Sequence, residues 1–104
     1  MEIKYATKAL IDLDDHAAFI QNDSPRSALR FLDSVEKTGE WLLSFPEFGA
    51  VFESAEPELQ GLRLCLVHDF EKYLLFYRKL GSVLRIERIL HGSRDLPKIL
   101  MGRL

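Results

Sequence analysis

The sequence predicts an α+β domain in the order β-α-α-β-β-β. A two-helix antiparallel hairpin packs on a small, mainly antiparallel sheet, and a short C-terminal helical turn or tail follows. Two observations lead there. The apolar residues alternate in "EIKY", recur at three- and four-residue steps through the next forty or so residues, and alternate again from Leu62. The segment "NDSPRS" divides the helical stretch in two. The length of 104 residues fits one domain spanning 1–104.

Each element has a local reason. In "ATKALIDLDDHAAFIQN", Ala6, Leu10, Leu13, Ala17 and Ile20 form one helical stripe. Ser24 suits the N-cap and Pro25 the first position of a second helix. Its stripe is Ala28, Phe31, Leu32, Val35 and Leu42, and Gly39 either permits close approach or weakens it. Pro46 stops this helix and Gly49 turns the chain. "VFESAEPELQG" reads as a polar connection without period. "LRLCLVH" then puts Leu62, Leu64 and Leu66 on one face of a strand and Arg63, Cys65 and Val67 on the other. "HDFEK" is a turn, and "YLLFYRKL" is apolar enough to be a central strand covered on both faces. "GS" links it as a tight hairpin to "VLRIERILH". There, Leu84, Ile86 and Leu90 share one face, and Arg85, Glu87, Ile89 and His91 the other. Arg88 falls among the apolar residues, so it must snorkel, pair, or sit at a bulge. After Ser93, Leu96, Ile99 and Leu100 pack back from the tail.

Composition excludes several classes. The apolar and charged fractions, 47% and 29%, are those of a soluble globule. No apolar run approaches the ~18 residues that span a bilayer. The N-terminus lacks the order of a signal peptide, so the expected location is the cytoplasm and no membrane partner is expected. The single Cys65 reads as a packed strand thiol. The net charge of −2 conceals a polarity. Residues 1–58 hold five Lys/Arg against twelve Asp/Glu, whereas residues 59–104 hold nine against four. Two readings fit. Either the basic half meets an anionic partner, or the two halves neutralise each other.

No phosphate loop, dinucleotide motif or metal-ligand spacing is present, so no cofactor and no metal are expected. His16 and His68 read as surface histidines. His91 has company: Ser93 and Arg94 follow it, and Arg63, Arg78, Arg85 and Arg88 come from the sheet or its rim. RNA cleavage needs a general base, a general acid and cations on the phosphate. His91 has a pKa of ~6.5 when unperturbed and suits either proton-transfer role. Arg63, Arg78 and Arg94 suit phosphate clamping. Glu87 is the one further acid or base on that face. The structural alternative is that His91 and Arg94 hydrogen-bond the sheet edge and fix the tail, and that Arg88 forms a salt bridge.

The segments "ALIDLDDHAAFI", "SPRSALRFLDSVEKTGEWLLSFPEFG", "LQGLRLCLV", "YLLFYRK" and "RIERILHGSRDL", in that order, resemble the RelE/ParE superfamily of toxins. The resemblance runs from about Ile3 to about Leu100, and the "FYR…RILHG.RDL" ending is most similar to the ParE branch and the plasmid-stabilisation proteins grouped with it. It implies the toxin half of a bacterial type II toxin–antitoxin module. A cognate antitoxin would lie across its sheet and helices in a hetero-oligomer. ParE-branch members are described as poisons of DNA gyrase, whereas RelE-branch members cut mRNA in the ribosomal A site.

The residues favour the former. RelE-type enzymes use basic residues on the sheet with a terminal tyrosine or histidine, and this chain has no tyrosine after Tyr77 and no histidine after His91. The expectation is a ParE-like toxin that binds a protein target without hydrolytic chemistry of its own, with Arg63, Arg78, Arg85, Arg88 and Arg94 on the binding face. The alternatives are a ribosome-dependent endoribonuclease using His91, Arg63, Arg78 and Arg94, or a non-toxic homologue that only binds antitoxin.

Overall fold

A computed structural model of the chain describes residues 1–92. Expectations placed on Ser93, Arg94, Leu96, Ile99 and Leu100 therefore lie outside the described residues. Strand β1 (Glu2–Tyr5) leads into α1 (Thr7–Gln21) and α2 (Pro25–Ser44). Strands β2 (Ala50–Val51), β3 (Arg63–Val67), β4 (Phe70–Leu80) and β5 (Val83–His91) follow. The sheet order is β1-β5-β4-β3-β2, with β1 parallel to β5 and the other pairs antiparallel.

The expected α+β architecture is present, with one addition. The stretch 51–61 is more than a polar connection: β2 begins the connection as a fifth strand, and Pro57–Leu59 forms a short 3-10 turn. Leu59 of that turn is buried, and with Leu62, Phe76 and Leu90 it makes a second small core, flanked by Phe52, on the sheet face away from the helices. Phe52 and Leu59 therefore come from a segment whose three glutamates, serine and glutamine mask its apolar residues. The main core lies between the helices and the other face, where Phe31, Val35 and Leu42 of α2 meet Cys65, Leu75, Tyr77, Leu84 and Ile86. As its composition predicts, β4 is covered on both faces: Tyr73, Leu75 and Tyr77 join the main core, and Phe76 joins the second.

Helix α2 begins as expected. Ser24 Oγ accepts from the Ser27 N–H at 3.1 Å, and Pro25 holds the first helical position. Gly39 does serve close approach, since a Cβ there would stand 3.1 Å from Ile3 Cδ1. Gly49 is required for the same reason rather than for turning alone. A Cβ on it would lie 2.6 Å from the Tyr77 hydroxyl and 2.9 Å from the Leu64 carbonyl. That hydroxyl accepts from Gly49 N at 2.9 Å and donates to Pro46 O at 2.8 Å, so β4 fixes the exit of α2. The "GS" hairpin is as predicted, with Gly81 at φ 59° and Leu80 paired to Val83.

Three expectations along α1 and β5 are corrected, and all have one cause. The β4–β5 register pairs Phe76 with Arg88 but Tyr77 with Ile86, so Glu87 is the extra residue of a β-bulge. Beyond the bulge the faces exchange. Ile89 joins Leu84 and Ile86 in the main core, and Leu90 enters the second core. The bulge also settles Arg88, which both sits at it and pairs. Arg88 Nε and Nη2 donate to Asp12 Oδ2 and Oδ1 at 2.7 and 2.9 Å. Helix α1 is rotated accordingly. Ala9 and Asp12 are its buried residues, while Leu10 is 49% exposed. His16 is not a free surface histidine: its Nε2 lies 2.7 Å from the Ile89 carbonyl, and its ring packs edge-on against Tyr73 and Phe31.

These contacts close a sheet edge. Strand β1 pairs with β5 only as far as Ile86. Past that point α1 replaces it: Ala6 N donates to Ile86 O at 2.9 Å, Asp12 Oδ2 accepts from Ile89 N at 3.0 Å, and His16 takes Ile89 O. Asp12 and His16 are one helical turn apart, so one helix face presents an acceptor and a ring nitrogen to the N–H and C=O of one residue. Removing one member of such a pair strands the other. We predict that Asp12→Ala costs about 3–5 kcal/mol of unfolding free energy in urea titrations, while a double replacement by Asp12→Leu and Arg88→Leu costs clearly less than the single change. A double variant no more stable than the single one overturns this account.

Candidate functional site

The sequence singled out five arginines and His91, and the described ones do not meet at a common point. Arg63 extends along the helix-facing side of β3, where Nη1 donates to the carbonyls of Glu47 and Gly49 at 3.2 and 2.8 Å. Arg78 and Arg85 are direct cross-strand neighbours on the opposite face. Like charges so placed repel. Glu87, pushed out by the bulge and buried, lies between them: its carboxylate oxygens are 2.8 Å from Arg78 Nε and 3.1 Å from Arg85 Nε. The Arg78 Nε contact is an ion pair without hydrogen-bond alignment. Its terminal nitrogens donate to the carbonyls of Gln60 and Glu58 at 3.2 and 2.8 Å, and so pin the 3-10 turn.

Arg88 is committed to Asp12, whose hydrogen bonds raise the guanidinium above its already high ordinary range. His91 ends β5 beside Tyr73, with ring centroids 5.1 Å apart, and Tyr73 in turn contacts His16 at 4.9 Å. The structure thus places two histidines around one buried tyrosine at this end of the sheet, and puts Arg63 and the Arg78–Arg85–Glu87 group elsewhere. Arg94 lies outside the described residues. No trio of His, Cys, Asp or Glu among the described residues is placed to share a metal ion.

A concavity among the described residues involves none of these side chains. A groove of about 740 Å³ runs between the C-terminal half of α2 and the edge of β3. Lys37, Thr38 and Trp41 form one wall, Phe48 closes one end, and His68, Asp69 and Glu71 mark the other. Trp41 is 51% exposed and Phe48 63%, and they contact each other edge-on. Cys65 faces the groove from the core side. Burial pushes its thiol up from 9.0 to about 11, as suits the packed strand thiol that the sequence predicts. The predicted α2 stripe of Ala28, Phe31, Leu32, Val35 and Leu42 leaves out Trp41, Phe45 and Phe48, so periodicity does not announce the groove. The available signal was that three aromatics in eight residues exceed what one helix end buries.

Two packed helices against a five-stranded sheet, with arginines distributed over both faces, define a small α+β protein. Residues 3–96 match the family described as the ParE toxin of the type II toxin–antitoxin system parDE, and the chain belongs to that family. Among solved structures it is similar to a chain of the chromosomal ParDE toxin–antitoxin system from P. aeruginosa. That match has 24% identity and a TM-score of 0.69, and covers 88% of this chain and 95% of the other. No curated protein matches. No helix among the described residues is long and apolar enough to cross a membrane.

The buried acids of the core have a pH signature. Cys65, Tyr73 and Tyr77 are all raised by burial, so above pH 9 the unfolded chain releases protons that the native chain retains. Stability contributed by these groups is complete below the unfolded values and is lost as pH rises from them through the raised native ones. We predict a declining urea midpoint between pH 9 and about 11, with a shallower decline in Cys65→Ala. Identical slopes in the two proteins remove Cys65 from this effect.

Proposed function

We propose that this chain is the toxin of a type II toxin–antitoxin pair that acts in the cytoplasm by binding a protein target, DNA gyrase in the first instance, and is neutralised by an antitoxin in a hetero-oligomer. Membership of the ParE family over 3–96 supports the toxin reading. The observation that carries the mode of action is the use made of the arginines. Arg78 and Arg85 are bound to Glu87 and Arg88 to Asp12, and Arg63 holds backbone carbonyls. A phosphate-cleaving site requires cations converging on one phosphate, whereas a protein-binding face tolerates cations already engaged in its own surface. The negative net charge agrees with a protein target better than with ribosomal RNA, whose binding is dominated by phosphate.

The expected outcome is inhibition of supercoiling by purified gyrase when antitoxin-free, folded protein is added. Absence of inhibition at micromolar protein sinks the gyrase reading. The packing of His91 and His16 against the one Tyr73 ring favours ribosome-dependent mRNA cleavage as the second reading. In that case His91→Ala abolishes cleavage in a translation extract with little change in melting temperature, and unaltered cleavage removes His91 from the chemistry. A protein silent in both assays that still binds its antitoxin is a non-toxic homologue.

A further inference from the structure

Three cations stand side by side on the sheet face away from the helices. Lys4 is the register partner of Arg85 across β1 and β5, and Arg85 is the partner of Arg78 across β5 and β4. Ile3 and Tyr5 pack on the main core, so Lys4 between them points to the other face, with Arg78 and Arg85. Like charges in neighbouring register positions oppose strand pairing. The fold offsets part of this, because Glu87 lies against the Nε of both guanidinium groups. Its carboxylate is one charge against two. Arg78 spends its terminal nitrogens on the carbonyls of Gln60 and Glu58. No described residue engages the terminal nitrogens of Arg85, whose side chain is 46% exposed. The Lys4 side chain is 63% exposed, and its ion pair among the described residues is with Glu2, at 3.7 Å. Both groups of that pair face solvent, where such a contact is worth little.

The exposed pair borders a hollow. Lys4 and Arg85 line a concavity of about 390 Å³, and Leu80 and Val83 supply apolar wall. Leu80 is paired with Val83 at the hairpin and is itself well exposed. No aspartate or glutamate is among the lining residues, so both charged walls are positive although the whole chain carries −2. These features select among anions. A nucleic acid gains affinity by having many phosphates neutralised, and two available cations offer little of that. Helices α1 and α2 also carry exposed Asp14, Asp15, Asp33, Glu36 and Glu40, which repel a long polyanion. A short acidic segment of a protein stays on the far face and avoids them. If it also bears an apolar side chain, it matches the exposed Leu80 beside the cations.

We propose that this hollow is where the toxin holds its protein target, by an acidic segment that sets carboxylates on Lys4 and Arg85 and an apolar side chain on Leu80. The inference rests on the protein-target reading above and adds a location, the contact residues and the chemistry of the segment. Arg85 has its terminal nitrogens left to donate to a carboxylate, and Lys4 contributes a point charge. Arg63 and Arg88 are set aside, since both are consumed inside the fold.

The test measures inhibition of gyrase supercoiling by folded, antitoxin-free protein, alongside its melting temperature. Lys4→Glu with Arg85→Gln reverses one charge and removes the other. We expect the concentration for half-inhibition to rise at least about tenfold, because like charges are then brought together across the contact. Lys4→Glu alone alters an exposed side chain, so it keeps the fold if the double variant does not, and it shifts the curve in the same direction. Inhibition by the unaltered protein weakens as salt rises, and the dependence is shallower in the variants. Inhibition by the unaltered protein with equally strong inhibition by folded variants overturns the proposal and leaves the gyrase reading intact. A labelled DNA duplex that binds the free protein and is released by the same substitutions makes the occupant a nucleic acid, which also overturns it. No inhibition by the unaltered protein overturns both.

Discussion

The backbone N–H and C=O of Ile89 are the point on which this fold turns. Its strand loses its parallel neighbour at Ile86, where β1 gives way to α1, and from there an open edge would face the core-side helix. An unpaired N–H and C=O at that depth carry a penalty of about 1–3 kcal/mol each. Asp12 and His16 remove it, and Asp12 also neutralises Arg88. One carboxylate therefore accepts three hydrogen bonds, two from a guanidinium and one from the backbone. The rotation of α1, the exposure of Leu10 and the inward position of His16 all follow from bringing Asp12 to that place.

The bulge at Glu87 is the complementary half of the same arrangement. By adding one residue it turns Ile89 toward the helices and Leu90 toward the second core, so both layers receive an apolar side chain from one strand. It also brings Glu87 between Arg78 and Arg85, which stand directly opposite each other on adjacent strands. Without an interposed carboxylate, two facing guanidinium groups would oppose pairing of β4 with β5. The arginines thus act first as fasteners: Arg78 holds the 3-10 turn, Arg63 the chain around Glu47 and Gly49, and Arg88 the first helix.

The two edges of the sheet are managed differently. On the β5 side, helix side chains imitate a neighbouring strand. On the β3 side, the imitation stops at Thr38, and a groove bordered by exposed aromatics remains. Exposed edges invite strand pairing and are normally blunted unless a partner uses them. Thr38 shows that α2 was able to supply such a cap at His68, one strand-repeat from Leu66.

The sequence by itself determined the layer order, the two helices with the Ser24–Pro25 start, the "GS" hairpin and the central place of β4. It also carried the family resemblance. These features are local: capping, periodicity and turn chemistry act within a few residues and leave direct traces in the chain. Parity likewise flagged Arg88 as needing a partner or a bulge, although not which. Tertiary structure alone decided that both answers hold, that Asp12 is the partner, and that His16 faces inward. A bulge shifts every later residue to the other face, and a buried acid 76 positions away from its arginine has no sequence periodicity to announce it. The groove beside Leu66 was invisible for a related reason. An open edge is defined by where a neighbouring strand ends, and β2, two residues long in a polar stretch, leaves too little pattern to read.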